Sequence, residues 1–490
     1  MRTFSKRPSE LREHARSLID VDLDPAQRAA VERPGSGAML ILGEAGHGKT
    51  TVALHRLLHL YRHAAGRFRA AVIVPHAGLE RLLQPLVTRL GADVSVVAYE
   101  RWARRQARRA FPDLPRRESL AVAPAVLRLK RHAGLVPLLR ELSERPPGLI
   151  DDDADAPPVV TQAHAQRGDL QHLFGDGDRM RRLAALAGES ERAVAAILEH
   201  THQQFLLRAE REYAHVDAER LVSLDRRSLD AGTAAENAES VDSEDYAVLF
   251  ELDRLRALRE GQRPTRPPPF DCIVLDEAQE FAPLELSLIG RSLTRQGNLI
   301  VAGDADQQTD PGAGFASWPA SMRALRAHAY ETVELAISYR CPGPVVTFAK
   351  ALRAGHKPER SVPVHGFDSE AALAELIAHE AAIIGEEDAR ASFCVIARDR
   401  ALARRLAAAL RGKVPCKLVL DGEFSFHRGV DVTTVEHVKG LEFDYVVLAD
   451  VTADAYPLTA DARRALYVAV TRARYELLLA HVGEPSPWLA

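Results

Sequence analysis

The chain reads Gly43-Glu44-Ala45-Gly46-His47-Gly48-Lys49-Thr50 directly after the apolar run Met39-Leu40-Ile41-Leu42. The pattern G-x-x-x-x-G-K-[ST], placed between an apolar strand and a helix, is typical of a loop that binds nucleotide phosphates. Glycines let successive backbone N–H groups point at a phosphate, and the following helix adds partial positive charge. We expect Lys49 to reach the β- and γ-phosphates of ATP and Thr50 to offer its hydroxyl to Mg²⁺. A chance glycine-rich turn is the alternative, so further motifs in the chain are needed to choose between the two interpretations.

Composition restricts the class of protein. The chain has 490 residues, 46% hydrophobic and 27% charged, which is ordinary for a soluble globular protein with more than one domain. No apolar stretch approaches the length of a membrane span, and the polar N-terminus does not resemble a secretory signal. The four cysteines are widely spaced without a Cys-x-x-Cys pair, which argues against a zinc site or a disulfide framework and suits a reducing cytoplasm. The net charge of −4 neither indicates nor excludes nucleic-acid binding.

Apolar runs alternate with helical patterns over residues 20–100, and the alternation returns at 270–302 and after 331. This rhythm predicts an α/β protein with mostly parallel sheets. The region between is rich in Ala, Leu, Arg and Glu at helical spacing. We therefore expect a first α/β domain formed by residues 1–100 and 269–330, a helical insertion at 101–268, and a second α/β domain at 331–490.

A second chemical motif follows the apolar run at 270–275, where the chain continues as Asp276-Glu277-Ala278-Gln279. A P-loop ATPase needs one carboxylate in the Mg²⁺ shell and another to orient or deprotonate the attacking water. We assign Asp276 to the metal and Glu277 to the water. Two solvated acids at a strand end are the alternative, which the upstream Lys49 makes less attractive.

Three later segments strengthen this interpretation. Gln307 follows another predicted strand, where a glutamine can sense the γ-phosphate. Ser338-Tyr339-Arg340 opens the third block, and Val470-Thr471-Arg472-Ala473 lies near the end of the chain. An arginine held over a transferring phosphoryl group accelerates hydrolysis by about 10³–10⁵-fold in well-studied enzymes. A single arginine is more often a surface residue, so the inference depends on the order of the whole set.

That ordered set resembles the superfamily 1 helicases of the UvrD/Rep type. Motifs I, II and III of the family correspond to residues 43–50, 276–279 and 303–307, and residues 24–28 are similar to its Q motif. The resemblance implies further ATP-site residues. Gln27 would read adenine, and motif I would add Gly43, Gly46, Gly48 and Thr51. In motif IV, Tyr339 would stack on adenine and Arg340 would contact the γ-phosphate. Glu442 of motif V would bind the ribose, and Arg472 of motif VI would be a second arginine finger.

The resemblance also implies an architecture and an activity. Two RecA-like P-loop NTPase domains with parallel sheets would hold ATP and Mg²⁺ in the cleft between them, with a mostly helical insertion in the first domain. Closure of the cleft would drive movement along single-stranded DNA, with 3′→5′ polarity and RNA as an open alternative. These features lead us to expect a cytoplasmic ATP hydrolase of the helicase or translocase type.

Several departures from the family pattern favour a second hypothesis. The segment after Gln307 lacks the tryptophan that stacks on bases, a loss of about 1–3 kcal/mol per base. Glu436 replaces a histidine of motif V, and His76 stands in an altered motif Ia. The stretch between the apolar run at 393–398 and motif V is too short to hold the family's 2B subdomain. The altered motif III and absent 2B resemble the HelD branch, so an ATPase that remodels a protein such as RNA polymerase is the alternative function.

The insertion is the predicted contact region for a partner. Arg101, Trp102 and Arg105 lie in an arginine-rich stretch that could pair phosphates and stack a base, and Thr434 beside motif V is a further candidate for strand contact. A solvated helix face whose tryptophan packs inward is an equally good interpretation of this stretch. A protein partner bound through residues 101–268 is also compatible with it.

Overall fold

The computed structural model describes residues 22–34, 37–64, 66–112, 114–119, 122–145, 162–206, 237–308, 310–337, 342–358, 361–420, 422–425 and 429–489. Two six-stranded sheets form the framework, and every strand pair in them is parallel. The prediction of an α/β protein with parallel sheets is confirmed, and this arrangement is consistent with RecA-like domains.

The first sheet has the strand order β3-β2-β6-β7-β1-β8. Its strands are β1 Ala38–Gly43, β2 Ala70–Val74, β3 Ser95–Ala98, β6 Phe270–Leu275, β7 Leu293–Gly303 and β8 Tyr330–Leu335. The central strands β6, β7 and β1 have buried apolar stretches, such as Leu299–Ala302 in β7, because both faces of the sheet are covered there. In β1, Met39 and Ile41 pack into one apolar cluster, whereas Leu40 packs into another on the opposite face.

The second sheet has the strand order β11-β12-β10-β13-β14-β9. Its strands are β9 Val364–Phe367, β10 Phe393–Ala397, β11 Cys416–Leu418, β12 Val430–Thr434, β13 Phe443–Leu448 and β14 Ala473–Val482. Ile396 of β10 belongs to the same apolar cluster as Ile41, while Val395 faces a separate cluster. The two sheets therefore share one continuous apolar core.

Helices flank both sheets. We call the first sheet with α1 Pro25–Glu32, α2 Lys49–His63, α3 Ala77–Arg89, α11 Pro283–Arg291 and α12 Trp318–Ala324 the first unit. We call the second sheet with α13 Gly343–Arg353, α14 Glu370–Glu387, α15 Arg400–Leu410 and α16 Ala460–Val470 the second unit.

The predicted boundary between the two α/β regions is wrong by one strand. We expected the second domain to begin at residue 331, but β8 pairs with β1 from Ala38↔Tyr330 to Gly43↔Leu335. The imidazole Nδ1 of His47 also lies 2.6 Å from the carbonyl oxygen of Leu335. Residues 330–335 therefore complete the first sheet, because an edge strand is stabilised by the ladder that it joins.

A mostly helical segment lies between β3 and β6 and begins at Tyr99, two residues before the range predicted for the insertion. Its helices are α4 Tyr99–Ala110, α5 Pro124–Arg131, α6 Leu135–Ser143, α7 Gln162–Phe174, α8 Gly177–Ala187, α9 Glu191–Phe205 and α10 Ser243–Arg259. The short parallel strands β4 Arg117–Glu118 and β5 Ser240–Val241, which the sequence did not predict, pair within it. None of the helices that the structure describes is long and apolar enough to span a membrane.

A buried ammonium group joins three helices of the helical segment. Lys130 Nζ, with a fully buried side chain, donates to Asp242 Oδ2 at 2.6 Å, Asp245 Oδ1 at 2.8 Å and Gln204 Oε1 at 3.1 Å. His200 Nε2 lies 2.8 Å from the same Asp242 oxygen. The burial of one cation against two carboxylates fixes how α5, α9 and α10 pack, because an uncompensated charge there would be costly.

We expect Lys130→Met to destabilise the protein by about 3–5 kcal/mol, because it leaves two carboxylates buried without their cation. Denaturant unfolding followed by circular dichroism measures this loss. Lys413→Met is the matched control, since Lys413 pairs with Glu375 at the surface and its loss should cost less than about 1 kcal/mol. Equal, small losses for both variants would contradict the structural role of Lys130.

Candidate functional site

The glycine-rich loop connects the end of β1 to the start of α2, as the sequence predicted. Gly46 and Gly48 both have φ of 81°, in the left-handed region that side chains disfavour. A Cβ at Gly48 would lie 2.8 Å from Nε2 of Gln27, and one at Gly43 would lie 3.1 Å from the carbonyl oxygen of Leu335. The loop conformation therefore depends on glycine at these positions.

The ammonium group of Lys49 lies against the loop that precedes it. Its Nζ donates to the carbonyl oxygen of Gly43 at 2.9 Å and to that of Glu44 at 3.0 Å. The side chain leaves α2 at its first residue, so the cation and the helix N-terminus lie on the same side of the loop. This concentration of positive charge suits a phosphate group.

Thr50 and Asp276 meet beside this loop. Thr50 Oγ1 donates to Asp276 Oδ2 at 2.8 Å, while the buried Oδ1 of Asp276 has no hydrogen-bond partner among the described residues. Burial, and then the adjacent Glu277 carboxylate, raise the pKa of Asp276 to about 7. Hydroxyl and carboxylate oxygens are the ligands that Mg²⁺ prefers. The pair therefore fits a Mg²⁺ site, in which a cation would relieve the cost of the buried carboxylate.

A chain of hydrogen bonds leads from Glu277 to the second unit. Glu277 Oε2 accepts from Gln279 Nε2 at 2.5 Å, and Gln279 Oε1 accepts from the backbone N–H of Asp304 at 3.0 Å. Asp304 Oδ2 accepts from Gln307 Nε2 at 2.8 Å, and Gln307 Oε1 accepts from Arg472 Nη2 at 2.6 Å. Residues from three of the predicted motifs therefore form one connected network across the cleft.

The guanidinium of Arg472 lies in the cleft and is 1% exposed. Its Nε donates to the carbonyl oxygen of Val468 at 2.8 Å, and its Nη1 to that of Leu441 at 3.2 Å. These bonds fix the side chain as it leaves the end of α16, so it points at Gln307 of the first unit. Glu442 follows Leu441 directly and is half-buried.

Four other predicted nucleotide-site residues need separate description. Gln27 is buried in the capping box of α1 and its Nε2 lies 3.3 Å from the carbonyl oxygen of His47, so it contacts the P-loop. Thr51 is buried in the first turn of α2. Tyr339 and Arg340 lie outside the described residues, so their predicted contacts with adenine and the γ-phosphate stay predictions.

The structure favours the second interpretation of the stretch around Trp102, in which the tryptophan packs inward and does not offer its ring to a base. Its side chain is 2% exposed and packs against Tyr99, whose ring makes an edge contact with Phe281. The apolar stripe of α4 faces the core, so the tryptophan turns inward while most of the arginines stay exposed. Arg105 is exposed, and Arg101 is exposed but donates to Glu80 Oε1 at 2.6 Å.

Thr434 is also buried. Its hydroxyl lies 2.8 Å from Nδ1 of His437, at the point where β12 ends. In this conformation the Thr434 side chain contacts the protein interior, and its predicted contact with a nucleic-acid strand stays a prediction.

The segments that resemble motifs Ia and V contact each other directly, which the sequence analysis did not anticipate. His76 Nε2 donates to the carbonyl oxygen of Lys439 at 2.8 Å, and burial lowers the pKa of His76 to about 4, so the imidazole is neutral near pH 7. Lys439 Nζ donates to Glu280 Oε2 at 2.7 Å. The sequence feature that could have indicated this contact is His76, which replaces the usual residue of motif Ia.

The segment that lacks the family's tryptophan contacts the helical segment instead. Asp310 pairs with Arg131 of α5, and the same guanidinium donates to Glu285 Oε1 at 3.0 Å and to the carbonyl oxygen of Glu280 at 2.8 Å. This ion-pair network ties α5 to the segments that follow Glu277 and Gln307.

Trp318 packs over Gly303, where a Cβ would lie 2.2 Å from the indole ring.

Comparison with known proteins agrees with the motifs at the end of the chain. Residues 429–480 match the family model of the UvrD-like helicase C-terminal domain. This part of the chain is similar to the UvrD-like helicase C-terminal domain. That region holds Glu442 and Arg472, so both of these predicted site residues lie within the matched family domain.

The same likeness is found among solved structures. The crystal structure of the C-terminal domain of a possible DNA helicase from Lactobacillus plantarum WCFS1 is 27% identical over 31% of this chain and 93% of that one. Its TM-score of 0.27 is too low to support an argument about the fold. No curated protein matches the chain.

We expect Gly303→Ala to destabilise the protein by about 1–3 kcal/mol, because the added methyl overlaps the Trp318 ring and lies 2.7 Å from Gln279 Oε1. Thermal unfolding with tryptophan fluorescence measures both stability and movement of the ring. Adding Trp318→Phe should restore part of the stability, since the smaller ring makes room.

Gly385→Ala is the control for this substitution, because its Cβ would meet nothing within 4 Å and α14 should gain slightly from alanine. Wild-type stability in Gly303→Ala would contradict the described packing around Gln279.

Proposed function

We propose that this chain is an ATP- and Mg²⁺-dependent motor of the superfamily 1 helicase type, with two RecA-like units that hydrolyse ATP in the cleft between them. The observation that carries the proposal is the Arg472–Gln307 hydrogen bond, which joins a cation of the second unit to the network that ends at Glu277. The first unit also contributes Lys49, Thr50 and Asp276 to the proposed site.

Each side chain has a defined part in the proposed hydrolysis. Glu277 accepts a proton from the attacking water, and Gln279 holds the Glu277 carboxylate in place. Lys49 and Arg472 neutralise the charge that develops on the transferred phosphoryl group. Thr50 and Asp276 would hold Mg²⁺, which when bound supplies charge neutralisation between the phosphates. Arg340 would add a further cation, and Gln27, Tyr339 and Glu442 would bind the nucleoside.

The proposed track is single-stranded nucleic acid, with DNA preferred and 3′→5′ movement. The likeness to a UvrD-like helicase domain supports this choice. The exposed arginines of α4, including Arg101 and Arg105, offer contacts to phosphates.

A second candidate is an ATPase that remodels a bound protein. The direct contact between His76 and Lys439 favours it, because these residues join motifs that would line the strand in a helicase. The pairing of Asp310 with Arg131 points the same way, since it brings a carboxylate and the helical segment to the position of the missing tryptophan. Binding of a protein to that segment would then act on the residues beside Glu277.

We expect Lys49→Ala and Glu277→Gln to reduce ATP turnover by at least about 10²-fold, because each removes a group that acts on the transferred phosphoryl or the water. Steady-state phosphate release measures the effect. Lys413→Ala, at an exposed ion pair of the second unit, is the control and should keep full turnover. Substantial turnover in either site variant would refute the assignment.

Single-stranded DNA should stimulate ATP turnover of the wild-type chain, and the stimulation should fall steeply as salt rises, because phosphate contacts release counterions. Turnover measured with and without DNA at two salt concentrations tests this. High turnover that ignores DNA and RNA alike would contradict the translocase and favour the protein remodeller.

A further inference from the structure

The last residue of α13, Arg353, reaches from the second unit to two carboxylates of the first. Its Nη1 pairs with Glu44, the second residue of the P-loop, and its Nε pairs with Asp306 in the turn that contains Gln307. One planar guanidinium therefore connects the phosphate-binding loop to the turn that Arg472 also contacts. We call this set of three side chains the Arg353 bridge.

The Arg353 bridge lies where the second unit covers the tip of the P-loop. Between them is a space of about 10 Å³, room for at most one water molecule. It is lined on one side by Glu44, Ala45 and His47, and on the other by α13 and α16, through Val346, Ala349, Tyr467 and Thr471. The space is too small for a triphosphate, so the second unit packs closely against this end of the glycine-rich loop.

The charges of the bridge suit a contact that can open and close. Burial lowers the pKa of Arg353, but the Asp306 and Glu44 carboxylates outweigh that effect and raise the pKa overall, as expected for a guanidinium paired with two acids. The Arg353 side chain is 38% exposed, which limits the strength of each ion pair and keeps them reversible. Glu44 is also tied to the site chemistry, because its carbonyl oxygen accepts from Lys49 Nζ at 3.0 Å.

We propose that the Arg353 bridge holds the second unit against the P-loop and thereby sets the rate at which nucleotide enters and leaves the cleft. Arg353 is a positioning residue in this role, distinct from Arg472, which lies deeper in the cleft and contacts Gln307. The inference rests on the proposed nucleotide site, but the contact between the units can be tested without nucleotide.

The first test is hydrogen–deuterium exchange on the nucleotide-free protein. Arg353→Ala should raise exchange in peptides covering residues 43–48 and 343–353, because the contact that protects them is lost. Arg405→Ala is the matched control, since it removes an exposed ion pair with Glu370 inside the second unit, and it should leave both peptides unchanged. Unchanged exchange in Arg353→Ala would overturn the bridge.

The charge-exchanged double variant Arg353→Glu with Asp306→Arg checks that the effect comes from the ion pairs. It should return exchange in residues 343–353 toward the wild-type level, whereas Arg353→Glu alone should not. Failure of the double variant to recover any protection would show that helix packing, not charge, holds the contact, and would also overturn the proposal.

The second test measures nucleotide release with a fluorescent ADP analogue in stopped flow. Arg353→Ala should accelerate release by about three- to tenfold, as expected for loss of partly exposed ion pairs, while the single-turnover hydrolysis rate stays within about twofold. Higher salt should accelerate release from wild type more than from the variant. Slower hydrolysis with unchanged release would make Arg353 a catalytic residue and contradict the proposal.

The two tests separate this inference from the proposed function. If wild type binds no nucleotide, the proposed ATPase fails while the exchange experiment still reports on the bridge. If nucleotide binds and is hydrolysed but Arg353→Ala changes neither exchange nor release, only the inference about the bridge fails.

Discussion

The contact between Arg472 of the second unit and Gln307 of the first is the interaction on which the proposed site depends. A buried guanidinium needs partners for its donors, and four acceptors from both units supply them. The same contact extends through Asp304 and Gln279 to Glu277. One network therefore links the second unit to the carboxylate that we propose activates water.

The sequence predicted the parts of this site that depend on local patterns. The strand before Asp276 was predicted at residues 270–275 and is observed over the same range. Apart from Asp271 the strand is apolar, and two carboxylates follow it, so its limits follow from composition. The glycine-rich loop could also be predicted from nearby residues alone, because the turn that it forms requires glycines at a fixed spacing.

Other features depend on contacts between distant residues, and these were missed or predicted wrongly. Tyr330–Leu335 has no local mark that assigns it to the first sheet, and only its ladder with β1 does so. The orientation of Trp102 depends on which face of α4 meets the core. His76–Lys439 and Arg353–Glu44 join residues that are hundreds of positions apart, and neither pair forms a recognisable spacing.

The central claim is that both units act on one triphosphate, and a structure with a transition-state mimic tests it most directly. In crystals or cryo-EM particles formed with Mg²⁺, ADP and aluminium fluoride, the account predicts hydrogen bonds from both Lys49 Nζ and the Arg472 guanidinium to the fluoride group. It also predicts that Arg472 gives up part of its contact with Gln307 to reach it. A nucleotide held by the first unit alone, with Arg472 directed away from the cleft, would contradict the account.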